Sequence, residues 1–205
     1  DGHLATVAEM SLVGDPSVFE HWSAVLSIRA GGAVIDCGAE AGLVEPGRPC
    51  PEGARAALAS IEVAARMCLS GQADAMVTAP VSKDAIAATG AAFPGHTEFL
   101  ASFTRADDVV MTFVHGSKRV ALVTTHLPLR EVPAVITEDL VLRKLTTLSH
   151  GLSSWLGVAD PRIAVTALNP HAGESGRFGD EEERVIVPAI ARGRRAGIDA
   201  DGPHP

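Results

Sequence analysis

Apolar positions recur along this chain in two rhythms. Leu58, Ile61, Ala65 and Leu69 fall at helical spacing behind Pro51-Glu52, with Gly71 as a stop, so a helix is expected to open at residue 51. A second helix is expected behind the cap Thr137-Glu138-Asp139, with Leu140, Val141, Leu145 and Leu148 on its apolar side. Ser82-Lys83-Asp84 opens a shorter one ending near Gly90, and residues 180–195 form the last. Between them run short apolar stretches that read as strands: residues 5–10, 33–35, the buried-looking Ala75-Met76-Val77-Thr78, and 163–168. Residues 109–114 and 119–124 read as a strand pair joined by the turn His115-Gly116-Ser117-Lys118. Residues 31–53 are the loosest part, punctuated by Gly31-Gly32, Gly38, Gly42, Pro46-Gly47, Pro49 and Pro51. Strands alternating with helices predict an α/β layered architecture with a substantially parallel sheet, to which the hairpin adds an antiparallel element.

No repeat and no secure internal boundary marks the sequence. Residues 200–205 are turn formers and read as a loop in which the polypeptide is cut, with a closing coil as the alternative. Both ends read as internal positions of a longer protein, so residues 1–205 are expected to be an incomplete α/β catalytic region.

Composition narrows the function classes. The 205 residues suffice for one large domain or two small ones with a core. A formal net charge of −8 argues against a nucleic-acid partner, which would require basic stripes, but leaves room for local positive charge around a small anion. Cys37, Cys50 and Cys68 form no CxxC pair and no metal spacing, which suggests free thiols in a reducing compartment. No apolar run approaches the roughly 18 residues of a membrane span, and the first residues lack a secretory pattern. The expectation is a cytoplasmic enzyme with no membrane partner.

The candidate chemistry sits in three histidine-bearing loops. His126 follows the apolar run ending Val123-Thr124-Thr125, and His171 follows residues 163–168 through Asn169-Pro170. Loops past strand ends are where α/β folds assemble their sites. Two imidazoles on adjacent strand ends could converge on a divalent metal, for which neutral histidine is a common ligand. Capping or hydrogen-bonding histidines are the alternative. In the third loop, Gly95-His96-Thr97-Glu98 offers a ring, a hydroxyl and a carboxylate at a helix start, where backbone N–H groups face an anion. Thr97 as a simple cap and Glu98 as a first-turn acid remain open there. Gly173, Gly176 and Gly179 predict a tightly turning loop, distinct from the dinucleotide fingerprint and the P-loop. Lys83 and Arg130 are the cations best placed to neutralise an anion, though solvated surface charge is the commoner role. The acidic run Asp180-Glu181-Glu182-Glu183 suits a helix start and reads as structural.

Taken together, residues 77–83, 93–100, 124–133 and 168–174 resemble the 4-hydroxythreonine-4-phosphate dehydrogenase family of pyridoxal 5′-phosphate biosynthesis. The segments Gly-His-Thr-Glu-Phe-Leu, Thr-Thr-His-Leu-Pro-Leu-Arg and Asn-Pro-His-Ala-Gly-Glu occur in the family's order, and the match runs from residue 74 to 205. The resemblance implies an isocitrate/isopropylmalate dehydrogenase-like fold, a mixed sheet flanked by helices, working as a homodimer. It implies NAD-dependent oxidation of the secondary alcohol of 4-phosphohydroxy-L-threonine, then decarboxylation to 3-amino-2-oxopropyl phosphate. By matching motifs, His96 and Thr97 hold this small phosphorylated substrate. His126 and His171 ligate a divalent metal, zinc foremost with magnesium or cobalt as alternatives. The metal would lower the substrate hydroxyl's pKa and polarise the ketone that follows, while NAD carries the hydride.

Three parts of the family pattern are absent: the Tyr-His-Asp-Gln-Gly-type segment with the third metal histidine, the downstream Lys, Asn and Arg substrate positions, and an amino-terminal Gly-Asp-Pro-x-Gly-Ile-Gly-Pro-Glu-type segment. Gly14-Asp15-Pro16 continues as Ser17-Val18-Phe19 and is not that motif. Two protein ligands are fewer than a catalytic zinc site normally has, so these 205 residues alone are expected to be inactive. The rival readings are a sister dehydrogenase of a four-carbon sugar-acid phosphate or an aromatic cis-dihydrodiol carboxylate, metal-assisted hydrolysis with Glu98 or Glu174 as base, and a non-catalytic module that binds a phosphorylated ligand.

Overall fold

The computed structural model describes residues 8–29, 31–42 and 44–205. They form two compact units, Asp1–Ala106 and Asp107–Pro205. In the first unit, β1 (Ser11–Gly14) pairs in parallel with β2 (Ala33–Asp36), Ser11 opposite Ala33 and Gly14 opposite Asp36. The strand expected over residues 5–10 begins later: residues 5–7 lie outside the described residues, and pairing starts only at Ser11. At Gly32 the backbones approach so closely that a Cβ would collide with the Met10 carbonyl, which explains the glycine.

The crossover between these strands is α1 (Pro16–Leu26), a helix not among those expected. Its start is chemically specified. Asp15 caps it, accepting from the Ser17 backbone N–H at 2.9 Å and the Ser17 hydroxyl at 2.7 Å, while Pro16 fits the first helical position. The other Asp15 oxygen takes the Ala41 N–H at 2.7 Å, tying the loop after β2 to the helix start. That bond, with those from Ser17, holds the Asp15 carboxyl below its ordinary range.

α2 (Pro51–Leu69) runs as expected, capped by Cys50 and ending before Gly71 at φ +73. Its Ala54, Leu58 and Ile61 pack with Ile86, Phe93, Phe99 and Leu100 of the segments that follow, and Ala56 packs with Cys37 and Ala41. The three cysteines are free. α3 (Lys83–Ala88) is capped by Ser82, and α4 (His96–Thr104) begins at Gly95. The strand expected at Ala75-Met76-Val77-Thr78 does not form, and Val77 is 99% exposed. A strand requires a partner for its backbone groups, and among the described residues none pairs there. Only Met76 of this segment packs against the α2–α3 core.

In the second unit, β3 (Thr112–His115) and β4 (Lys118–Ala121) form an antiparallel hairpin. It is shorter than expected, and its loop is the two residues Gly116-Ser117, because His115 and Lys118 already pair. Gly116 at φ +56 supplies the positive φ that such loops require. A 3-10 turn (Leu129–Glu131) leads into α5 (Val132–Val135), and α6 (Glu138–Ser154) follows with Thr137 accepting from the Leu140 N–H at 3.1 Å. β5 (Arg162–Thr166) pairs in parallel with β6 (Asp199–His204).

β6 occupies the stretch expected to be coil. The ladder absorbs its Gly-Pro pair by a bulge: Ala164 opposes Asp201, but Thr166 opposes His204. Pro203 has no N–H to give, and a Cβ at Gly202 would strike the Val165 carbonyl. Between the two strands, a π turn (Glu182–Ile186) runs into α7 (Val187–Arg195). Pro188 explains the widened turn, since its ring lacks an N–H and crowds the carbonyl four residues back. Val141, Leu145 and Leu152 of α6 form one core with Ile163, Val185, Ile186, Ala189, Ile190, Ile198 and Ala200. Two parallel strand pairs, one antiparallel pair and the helices between them give the expected α/β class. No described helix is long and apolar enough to cross a membrane.

Candidate functional site

His96 and Thr97 belong to the first unit, His126 and His171 to the second. In the first, Gly95 is the N-cap of α4, and no side chain caps the helix, so Thr97 lies within the first turn and is not the cap. The ends of two flexible side chains crowd this glycine. A Cβ there would lie 2.6 Å from Glu98 Oε2 and 3.2 Å from Lys83 Nζ. Lys83, exposed at the start of α3, donates to the Pro94 carbonyl at 2.6 Å and so pins the turn ahead of His96. The His96 ring stands edge-on to Phe93, centroids 5.3 Å apart, and its buried Nε2 has no hydrogen-bond partner among the described residues. A buried imidazole nitrogen left unmatched beside a helix N-terminus suits an anionic or hydroxylated ligand. Arg130, the other candidate cation, is exposed and lies 3.5 Å from Glu131.

In the second unit, the two histidines do not follow neighbouring strands. β4 pairs with β3 and β5 with β6, so adjacency of the strand ends is not how their loops are related. A shared core relates them instead: Val123 and Leu168, each three residues ahead of its histidine, pack against the same α6–α7 cluster. Both histidines adopt left-handed backbone, His126 at φ +57 and His171 at φ +53. Both rings are exposed, and neither has a hydrogen-bond partner among the described residues. The ring of His171 lies 6.2 Å from that of Phe178. Unengaged imidazoles on fixed loops are a donor set that fits a divalent metal. Among the described residues no three His, Cys, Asp or Glu side chains come together as a complete cage.

The His171 loop is costly to build. Besides His171, the non-glycine residues Ala172, Glu174 and Ser175 carry φ of +52, +43 and +57. Each left-handed residue of this kind costs about 1–3 kcal/mol, and such strain tends to gather at functional sites. A buried carboxylate that looked structural in the sequence holds the loop. Glu182, 2% exposed, accepts the N–H groups of Leu168 at 2.8 Å and Asn169 at 2.7 Å on Oε1, and the Asn169 amide at 3.0 Å on Oε2. Glu181 takes the same amide at 2.7 Å. Burial alone would raise the Glu182 pKa, but the Asn169 side chain and the loop N–H groups outweigh it and hold the carboxyl below its ordinary range. With the folded pKa lowered, the stabilisation is full above the unfolded pKa and is lost as pH falls through the folded one.

Gly173 sits against this anchor at φ +81, where a Cβ would lie 2.7 Å from the Gly179 carbonyl and 3.0 Å from Glu182 Oε2. Gly173→Ala is therefore expected to lower stability by about 1–3 kcal/mol, read as an earlier chemical-denaturation midpoint. An unchanged midpoint would show that the loop gives way freely.

The fold and these loops define an α/β protein with an unmatched ring nitrogen at one helix start and two exposed histidines on left-handed backbone. The family described as pyridoxal phosphate biosynthetic protein PdxA matches residues 7–205, and the chain belongs to that family. It is 51% identical over 140 residues to the 4-hydroxythreonine-4-phosphate dehydrogenase of Geobacter metallireducens, which covers 68% of this chain and 41% of that protein. The crystal structure of a 4-hydroxythreonine-4-phosphate dehydrogenase from Burkholderia phymatum superposes with a TM-score of 0.90 at 32% identity, covering all of this chain and 67% of that one. A terephthalate 1,2-cis-dihydrodiol dehydrogenase from Burkholderia xenovorans superposes with a TM-score of 0.69 at 27% identity, over 95% of this chain and 64% of that one. The aligned stretch thus spans less than half the length of the Geobacter relative.

Proposed function

We propose that the full-length protein oxidises 4-phosphohydroxy-L-threonine with NAD and releases carbon dioxide to give 3-amino-2-oxopropyl phosphate. The observation that carries this reading is the common anchoring of the His126 and His171 loops on one core through Val123 and Leu168, in a chain of the PdxA family. A divalent metal, zinc foremost, would supply Lewis acidity toward the substrate's hydroxyl oxygen and the carbonyl oxygen that replaces it.

His126 and His171 hold that ion, and a third protein ligand comes from the part of the relatives' length that this chain does not cover. His96 supplies its unmatched Nε2 and Thr97 its hydroxyl to the bound substrate, with the α4 N-terminus facing negative charge. Lys83 keeps the Pro94 turn in place so that these groups stay aimed. The carbon bearing the hydroxyl gives a hydride to NAD and the hydroxyl proton goes to solvent. The resulting β-keto acid then loses carbon dioxide, and the carbon that bore the carboxylate gains a proton. A homodimer in the cytoplasm completes the proposal.

The test is NADH formation by the full-length protein with 4-phosphohydroxy-L-threonine, NAD and zinc, against a chelated control. Metal-dependent NADH growth is expected. The likeness to the cis-dihydrodiol dehydrogenase favours one second reading, a sister substrate within the same chemistry. A flat trace here together with NADH from a cis-dihydrodiol carboxylate or a sugar-acid phosphate would establish it, and turnover without NAD would instead indicate hydrolysis.

A further inference from the structure

We infer that Glu182 is the positioning residue for His171, an inference that rests on the metal-binding role proposed for that histidine. The carboxylate lies eleven positions downstream, at the start of the π turn, and does not act on the ring itself. It acts on the backbone immediately ahead of it. Oε1 gathers two consecutive peptide N–H groups, Leu168 and Asn169, and Oε2 fixes the Asn169 side chain. Pro170 then links this clamped dipeptide to His171.

Two further features aim the clamp. Val185 and Ile186 of the same π turn are buried in the α6–α7 core, so the carboxylate projects from a fixed base. Glycine at 173 lets the far side of the loop close onto Glu182 Oε2, where a Cβ would intrude. The left-handed residues from His171 to Ser175 are thus held between a clamped start and a packed end. A loop built this way presents the His171 ring preformed instead of ordering it when the ion arrives, and supporting groups of this kind commonly govern metal affinity.

The carboxylate chemistry is specific. In Glu182→Gln one oxygen can still accept from the two peptide groups, but the new amide sets a donor against the Asn169 amide donor. The test compares zinc affinity of the full-length protein, by competition with a chromophoric chelator, for wild type, Glu182→Gln, Glu182→Ala and His171→Ala. It adds hydrogen exchange at the Leu168 and Asn169 amides of the metal-free protein.

For Glu182→Gln we expect zinc binding weakened about 10- to 100-fold, faster exchange at those two amides, and an unchanged KM for NAD. A folded Glu182→Gln protein with wild-type zinc affinity would overturn the inference. Should Glu182→Ala fail to fold, the glutamine variant decides. His171→Ala separates the two claims: if it too leaves zinc affinity intact, the ligand assignment itself is wrong, whereas loss in His171→Ala alone removes only the positioning role.

Discussion

Replacing His126 or His171 by alanine in the full-length protein is expected to lower metal-dependent kcat/KM by more than ~10³-fold, exceeding the roughly 10²–10³ typical of losing one oxyanion donor. A metal ligand does more than one donor does: removing it both weakens the ion's attachment and displaces it from the oxygen it polarises. Both rings are exposed and lack hydrogen-bond partners among the described residues, and the one ring neighbour, Phe178 beside His171, lies outside the buried clusters, so truncating them removes no core packing. Melting temperatures should therefore stay near wild type while turnover disappears. Steady-state kinetics alongside thermal unfolding separates these readouts, and either variant retaining full activity with normal metal content would remove that histidine from the site.

The second large effect concerns stability. Ile190→Ala is expected to cost about 2–5 kcal/mol, the range for deleting most of a buried isoleucine. Ile190 is 2% exposed on the stripe where α7 meets α6, packed among Val141, Leu145, Ile163 and Ile198. Its neighbours Ala189 and Ala200 are too small to swing into the space, so the cavity should persist. At about 2–4 °C per kcal/mol for a chain of this size, the unfolding midpoint should fall by roughly 5–20 °C. Ile190→Val, which removes one methylene, should cost only about 0.5–1.5 kcal/mol. Equal, small effects for both would mean that the α6–α7 contact is not the core of this unit. The same stripe carries the π turn with Glu182, so Ile190→Ala should also loosen zinc binding at temperatures where the fold survives.

The helices were legible because their determinants are local. Thr137 and Ser82 are caps, Pro51 opens α2, and the apolar residues of α2 and α6 lie at helical spacing. α1 carries Val18, Phe19, Trp22, Val25 and Leu26 at helical spacing behind Asp15-Pro16, although none of its residues is buried. Strands were less legible because pairing is a long-range property. Val77 sits in a run as apolar as β5 yet is almost fully exposed, whereas β6 forms through Gly202 and Pro203, residues that argue locally against a strand.

For the site, the three histidine loops stood out in the sequence, and the family follows from their motifs. Their backbone did not: left-handed φ at His126, His171 and Ala172 is set by surroundings, not by residue type. The role of Glu182 was readable in principle. It occupies the same apolar stripe as Val185, Ile186, Ala189 and Ile190, and a carboxylate on a buried stripe demands partners. The helix dipole accounts for the acidic run as a whole and so hides the one member that is buried.

His126 and His171 are proposed to serve one metal ion. The most direct measurement is a cobalt(II) titration of the full-length protein, followed by the visible absorption of the bound ion, for wild type and both alanine variants. One tightly bound ion per chain with a tetrahedral or five-coordinate spectrum is expected, with loss or marked change of that spectrum in each variant. The wild-type spectrum and affinity persisting in both variants would contradict it.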